Sequence, residues 1–145
     1  MNAYTFVQHL HSGFRYIILV LFIYTILMAF IGWLGGRPYT NRNRISNLVA
    51  MISAHTQLLI GIVLYFLSPL VQFNADTMKN PTTRYFTVEH WVMMVIALAL
   101  ITIGHSKSKK LVLPEAKHKT IALFYTLALL IIVGTLAAGK ISILK

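Results

Sequence analysis

Four long apolar runs separated by short polar segments most constrain what this chain can fold into. An α-helix needs about 20 residues to cross the hydrocarbon core of a bilayer, and each run reaches that length. The predicted spans cover about residues 14–35, 47–70, 85–105 and 120–140. Because such runs must face lipid, we expect one all-α domain over residues 1–145, an integral membrane four-helix bundle with up-down-up-down topology.

The composition also indicates a membrane protein. Hydrophobic residues make up 57% of the chain and charged residues only 11%, whereas a typical soluble domain has about 25% charged residues. The absence of cysteine excludes disulfides and thiolate metal sites, which leaves histidine and methionine as the softer ligands. The first run lacks a preceding basic segment and is too long for a signal peptide. Five aromatic residues are expected at the membrane interfaces: Tyr16, Trp33, Tyr65, Tyr85 and Trp91.

The net charge of +10 comes from loops rather than from one basic surface. The segments after the first and third runs hold Arg37, Arg42, Arg44, Lys107, Lys109, Lys110, Lys117 and Lys119. The other basic residues are spread over three separate segments on the opposite side. Since basic loops concentrate on the cytoplasmic side, we predict a multi-pass protein of a bacterial inner membrane with both termini periplasmic. This charge pattern predicts no nucleic-acid partner.

Polar side chains inside or beside the runs are the candidates for chemistry, because ionisable groups at membrane depth are costly and usually functional. His11 precedes the first run, and His90 lies near the start of the third, on the same predicted side of the membrane. In an up-down-up-down bundle these two spans can face each other across the core. Two imidazoles on facing helices can hold a haem iron, and an apolar bundle can enclose the macrocycle.

Arg15 lies four residues after His11, on the same face of the helix, and is placed to pair with a haem propionate. The simplest role for Glu89 is an ion pair with Arg15; orienting a ligand or transferring a proton are the alternatives. We expect structural roles for His9, His105 and His118. Close helix contacts are expected at Gly61, Gly134, Ala137, Ala138 and Gly139.

The pairing of the ligands stays open at this point. Counted along the runs at about 1.5 Å per residue, His11 and His90 differ in depth by roughly 14 Å, too far for one iron. Span ends read from a sequence err by about two to four residues each, and helices tilt, so a true difference of about 5 Å lies within the error. His55 lies deeper in the second run and is an alternative partner of His90. The other alternative is that His55 is a ligand of a second haem, with His105 as the second ligand of that haem.

Four segments carry a resemblance to known proteins: LHSGFRY at 10–16, AHTQLLIGIVLYFLSP at 54–69, VEHWVMM at 88–94 and IGHSKSKK at 103–110. With them the chain resembles small bacterial four-helix membrane proteins described as cytochrome b-like. The layout is also similar to one half of haem A synthase and to bacterial di-haem cytochromes b. The resemblance implies His11, His55 and His90 as ligands of one or two haem b groups. The chain differs from those relatives in having no histidine within the fourth run.

These patterns predict a haem b electron-transfer protein rather than a stand-alone enzyme. Its expected partners are lipid, a quinone, and partner membrane subunits or a second copy, although the quinone follows from location and analogy, not from a motif. The alternative is a cofactor-free accessory or assembly subunit of a larger membrane complex, with histidines that serve packing or proton transfer. A metal or proton transporter has less support, because only one acidic residue lies in a span.

Overall fold

The computed structural model describes residues 2–144, with side chains for residues 2–139. Helix α1 is Ala3–Leu34, α2 is Asn41–Leu67, and α5 is Pro114–Leu144. The third long helix, Pro81–Lys110, consists of α3 (Pro81–Arg84), a π-helical turn (Tyr85–Glu89) and α4 (His90–Lys110). Four helices are thus long and apolar enough to cross a membrane, which confirms the predicted all-α four-helix membrane bundle.

Helix ends differ from the predicted spans where polar residues cap the chain. Asn2 begins α1 early, because its side chain accepts a hydrogen bond of 2.8 Å from the Thr5 N–H. Asn80 likewise caps α3, whose first residue is a proline that fits the first helical turn. At the other end of α2, Ser68 is extended because it precedes Pro69, so the helix ends before residue 70. Hydropathy locates the apolar part of each helix but not these caps.

The packing order places α1 diagonally opposite α4. Helix α1 packs against α2 and α5, and α4 packs against α5, whereas α2 and α4 make the smallest interface of the four neighbouring pairs. The diagonal arrangement expected for the first and third spans is therefore present. It brings the faces of α1 and α4 together across the axis of the bundle.

The apolar core is concentrated away from His11 and His90. Its buried members are Ile18, Phe22, Ile26, Ala29, Ala50, Ala54, Ala97, Ile101, Ile121, Ala122, Tyr125 and Ala128. We call the end with the short connections 35–40 and 111–113 the basic end, because it holds the eight clustered basic residues. We call the opposite end, with His11 and His90, the histidine end. Beyond the core, Tyr85 is the one other buried apolar side chain among residues 2–139, and it lies at the histidine end.

A polar network closes the basic end. The Tyr125 hydroxyl donates to the Asn47 carbonyl at 2.8 Å, and the Asn47 amide donates to the Tyr39 hydroxyl at 2.8 Å. Burial raises the pKa of the Tyr39 phenol, so the hydroxyl stays neutral. The His118 ring packs against Tyr39 and fills a notch over Gly32, where a Cβ would overlap the imidazole. His118 therefore packs as a structural residue between α5 and the α1–α2 connection.

Candidate functional site

The rings of His11 and His90 meet at the histidine end. Their centroids are 6.3 Å apart, and their planes are inclined by 74°. The depth difference counted from the sequence is therefore absent. The count was wrong because it started from the cytoplasmic ends of the apolar runs, which are not equivalent heights: α4 continues beyond the third run to Lys110, whereas α1 ends at Leu34.

Helix α2 positions His11 by close approach of its backbone. The Gln57 side-chain amide donates to the His11 carbonyl at 2.8 Å. A Cβ at Gly61 would lie 3.3 Å from Cε1 of His11, closer than is usual for packed carbon atoms, so a glycine lets α2 approach the ring. Nδ1 of His11 and Oε1 of Gln57 are buried without a hydrogen-bond partner. Buried polar atoms normally have partners, so two orphaned atoms at one place mark a site that a bound group would complete.

Tyr85 fixes the orientation of His90. The Tyr85 hydroxyl lies 3.1 Å from Nδ1 of His90 and donates its hydrogen to the Thr135 carbonyl at 3.0 Å. Because a phenol has a single hydrogen, Nδ1 of His90 must be the donor in the first of these contacts. The neutral ring then carries its proton on Nδ1 and keeps a lone pair on Nε2. That tautomer is the one in which Nε2 can bind a metal.

The π-helical turn explains how Tyr85 reaches His90. Residues five apart lie about 140° apart around an α-helix, on different faces. In this turn the His90 N–H bonds to the Tyr85 carbonyl, an i to i+5 bond, and the two side chains come onto one face. Single π-helical turns occur often at functional sites. Sequence reasoning placed Tyr85 at the membrane interface, but its side chain is only 4% exposed.

Small residues of α5 differ in what they contact. A Cβ at Gly139 would overlap the Tyr85 ring, so Gly139 provides the space that Tyr85 occupies. A Cβ at Gly134 would meet nothing within 4 Å. Ala137 and Ala138 are exposed. The predicted close contact is thus present at Gly61 and Gly139 but not at the other three positions.

The predicted ion pair between Glu89 and Arg15 is wrong. Oε1 of Glu89 accepts a hydrogen bond of 2.7 Å from Nε of Arg84, which the π-helical turn brings onto the same face. Arg15 instead donates to the Tyr16 hydroxyl at 3.2 Å and lies 4.9 Å above that ring. Within residues 2–139 Arg15 has no acidic partner, and it lies four residues after His11 on α1. A cation without a counter-ion therefore lies beside the histidine pair.

His55 does not join this pair. Its Nδ1 lies 2.9 Å from the Met51 carbonyl and its Nε2 lies 3.4 Å from the Thr102 hydroxyl. Thr102 is twelve residues after His90 in one helix, which places it about 18 Å further along the axis. Both nitrogens of His55 thus have partners within the bundle, far from His90. The alternative pairing of His55 with His90 does not fit this arrangement.

The other predicted histidines are separate from the pair. His105 is buried, and both of its ring nitrogens lack hydrogen-bond partners. Among the side chains that the structure describes, its ring makes no contact with the ring of His55. His9, two residues before His11, is exposed on α1. The ring contact, rather than the missing hydrogen bonds, therefore singles out His11 and His90 as a pair.

In the described part of the chain, no group of three or more His, Cys, Asp or Glu side chains is arranged to hold a metal ion. The candidate site is a pair of imidazoles with a nearby arginine. Comparison of the chain with known protein families, with curated proteins and with solved structures found no match.

Proposed function

We propose that this protein binds one haem b between His11 and His90 and transfers electrons in a bacterial inner membrane. The observation that carries the proposal is the ring separation of 6.3 Å. Two metal–nitrogen bonds of about 2 Å, with each ring centroid about 1 Å behind its nitrogen, separate the centroids by about 6 Å. The resemblance to cytochrome b-like proteins includes both residues among its three implied ligands, with His55 as the third.

The residues of the site suit a group that needs only two protein ligands. A haem iron takes its axial ligands from the protein and its other ligands from the macrocycle, so no cluster of three or more side chains is required. Nδ1 of His11 lacks a partner, and the tautomer of His90 leaves a lone pair on Nε2.

The surrounding side chains hold the two imidazoles and set the local charge. Tyr85 fixes the ring of His90, while Gln57 and Gly61 fix the position of His11. Arg15 provides a cation for an anionic propionate. When bound, the haem supplies one-electron redox chemistry. His11 and His90 would both hold the iron, so the bound haem would exchange electrons with a quinone or a partner redox subunit rather than bind small ligands.

An absorption spectrum tests the proposal directly. The wild-type protein, expressed with ample haem and isolated gently with any partner subunits, should show a sharp Soret band and resolved α and β bands on reduction. A haem assay should give one haem per chain, since His55 has other partners. If no Soret band appears under these conditions, the cytochrome proposal is wrong and the accessory-subunit alternative replaces it. Two haems per chain would show that the histidines at the basic end also ligate.

The orientation in the membrane is proposed from the charges. A reporter fused after Lys145 should read as periplasmic, and one inserted next to Arg42 should read as cytoplasmic, because the basic end holds the eight clustered charges. The measurement is paired alkaline phosphatase and fluorescent-protein fusions at both positions. The opposite pattern would place the histidine end on the cytoplasmic side.

Arg15 is expected to tune the potential of the site. Its positive charge favours the reduced iron, so Arg15→Leu should lower the midpoint potential by about 50 mV, close to a tenfold change in the one-electron equilibrium. The measurement is a redox titration of the α band. Lys79→Leu is the matched control, because it removes an exposed positive charge at the same end of the bundle. Equal shifts of the midpoint potential in the two variants would show that Arg15 has no specific effect on the haem and is an interfacial anchor.

A further inference from the structure

A groove runs between α1 and α2 at the basic end, on the side away from the histidine pair. Two adjoining cavities form it, of about 460 Å³ and about 520 Å³, and both are lined by Asn41 and Arg42. One wall is a stripe of α1 at helical spacing: Leu21, Tyr24, Met28 and Ile31. The facing wall is the first part of α2, which includes Ile45 and Val49. The groove is therefore apolar along most of its length.

Basic residues line the groove near the α1–α2 connection. Arg37 and Arg42 line it there, and no acidic residue does. Within residues 2–139 neither guanidinium has an ion pair or a side-chain hydrogen bond. By contrast, Arg44 is held by Oδ1 of Asn41 at 3.0 and 2.8 Å. Two cations thus remain available at one end of an apolar groove.

The length of the groove corresponds to one leaflet of a bilayer. Leu21 and Ile31 are ten residues apart, or about 15 Å along α1. The hydrocarbon core of a bilayer is about 30 Å thick, so the stripe extends through about half of it. An anionic group at the arginines with a long apolar chain along the stripe would match both parts of the groove. Basic pockets between transmembrane helices are known to bind phospholipid head groups.

We propose that this groove binds an anionic phospholipid, with its phosphate at Arg37 and Arg42 and an acyl chain along the α1 stripe. The proposal is independent of the haem site at the other end of the bundle. It differs from the general attraction of basic loops to anionic lipid, since it assigns binding to two of the eight clustered charges. A free phosphate ion shares the head-group chemistry but lacks the chain that the apolar wall would contact.

Native mass spectrometry of the protein released from detergent micelles tests the site. Phosphatidylglycerol and phosphatidylcholine with identical acyl chains are titrated separately. We expect about 25-fold tighter retention of one phosphatidylglycerol, about fivefold for each arginine. The double variant Arg37→Gln/Arg42→Gln should retain both lipids equally. Its thermal midpoint should match the wild type, because both side chains are exposed.

The matched control changes the same charge at the same end of the bundle. Lys109→Gln/Lys110→Gln alters two exposed residues of the α4–α5 hairpin and should keep the preference for phosphatidylglycerol. An equal loss of preference in both double variants would overturn the proposal in favour of a diffuse charge effect. Equal retention of both lipids by the wild type would also overturn it. Displacement of phosphatidylglycerol by an equal concentration of inorganic phosphate would show an anion site without a lipid.

Discussion

Replacing His90 by alanine should abolish the Soret band or convert the haem to a high-spin form that binds carbon monoxide. The reason is that loss of one axial imidazole opens a coordination position on the iron. His11→Ala should have the same effect, since the His11 ring lies beside the His90 ring and would bind the same iron. Reduced-minus-oxidised spectra with and without carbon monoxide measure both outcomes.

Two histidine variants serve as controls for this experiment. His9→Ala changes an exposed residue two positions from His11, and His55→Ala removes a ring bonded to Met51 and Thr102. Both should leave the low-spin spectrum in place. An intact spectrum in His11→Ala together with its loss in His55→Ala would contradict the arrangement of the histidine end. Circular dichroism and gel filtration of each variant separate loss of haem from loss of the fold.

The fold was predictable because the bilayer imposes a length on each apolar run. Four runs of sufficient length, with basic residues in alternate connections, leave few arrangements other than an up-down-up-down bundle. The helix ends were less predictable, since they depend on local capping. Asn2 and Asn80 extend two helices into polar sequence that hydropathy assigns to loops. Depths counted from the cytoplasmic ends of the runs misplaced His11 relative to His90 because α4 continues beyond its apolar run to Lys110.

The candidate pair could be chosen from the sequence, but its surroundings could not. His11 and His90 were candidates because parallel spans in such a bundle lie on a diagonal. The contact of Tyr85 with His90 was missed because side chains five residues apart lie on different faces of an α-helix. The π-helical turn brings these two side chains onto one face. The same turn directs Glu89 to Arg84 and leaves Arg15 beside the rings. No simple sequence pattern marks a π-helical turn, so these contacts depend on the structure.

Two glycines at the histidine end allow the close packing that positions the histidine pair. Gly61 lets α2 approach His11, and Gly139 makes room for the Tyr85 ring that orients His90. Each glycine acts through one histidine of the pair. A side chain at either position should therefore disturb the pair without removing a ligand, which separates positioning of the imidazoles from ligation by them.

Gly139→Val should destabilise the protein and disturb His90, whereas Gly134→Val should do neither. A valine at 139 overlaps the Tyr85 ring, and overpacking of this kind lowers the free energy of unfolding by about 1–3 kcal/mol. The displaced Tyr85 hydroxyl would leave Nδ1 of His90 and the Thr135 carbonyl, so the proton on Nδ1 would lose its acceptor. Gly134 lies five residues earlier in the same helix, and a Cβ there meets open space.

Thermal midpoints in detergent compare the two valine variants in the haem-free protein, so this measurement stands even if no haem binds. In the haem-bound protein, Tyr85→Phe keeps the ring but removes the hydroxyl, and it should shift the midpoint potential while leaving the low-spin spectrum. Without its hydrogen bond the His90 imidazole is a weaker electron donor, which destabilises the oxidised iron and raises the potential. Equal thermal midpoints for Gly139→Val and Gly134→Val would show that Tyr85 does not pack over Gly139. An unchanged potential in Tyr85→Phe would show that its hydroxyl does not orient His90.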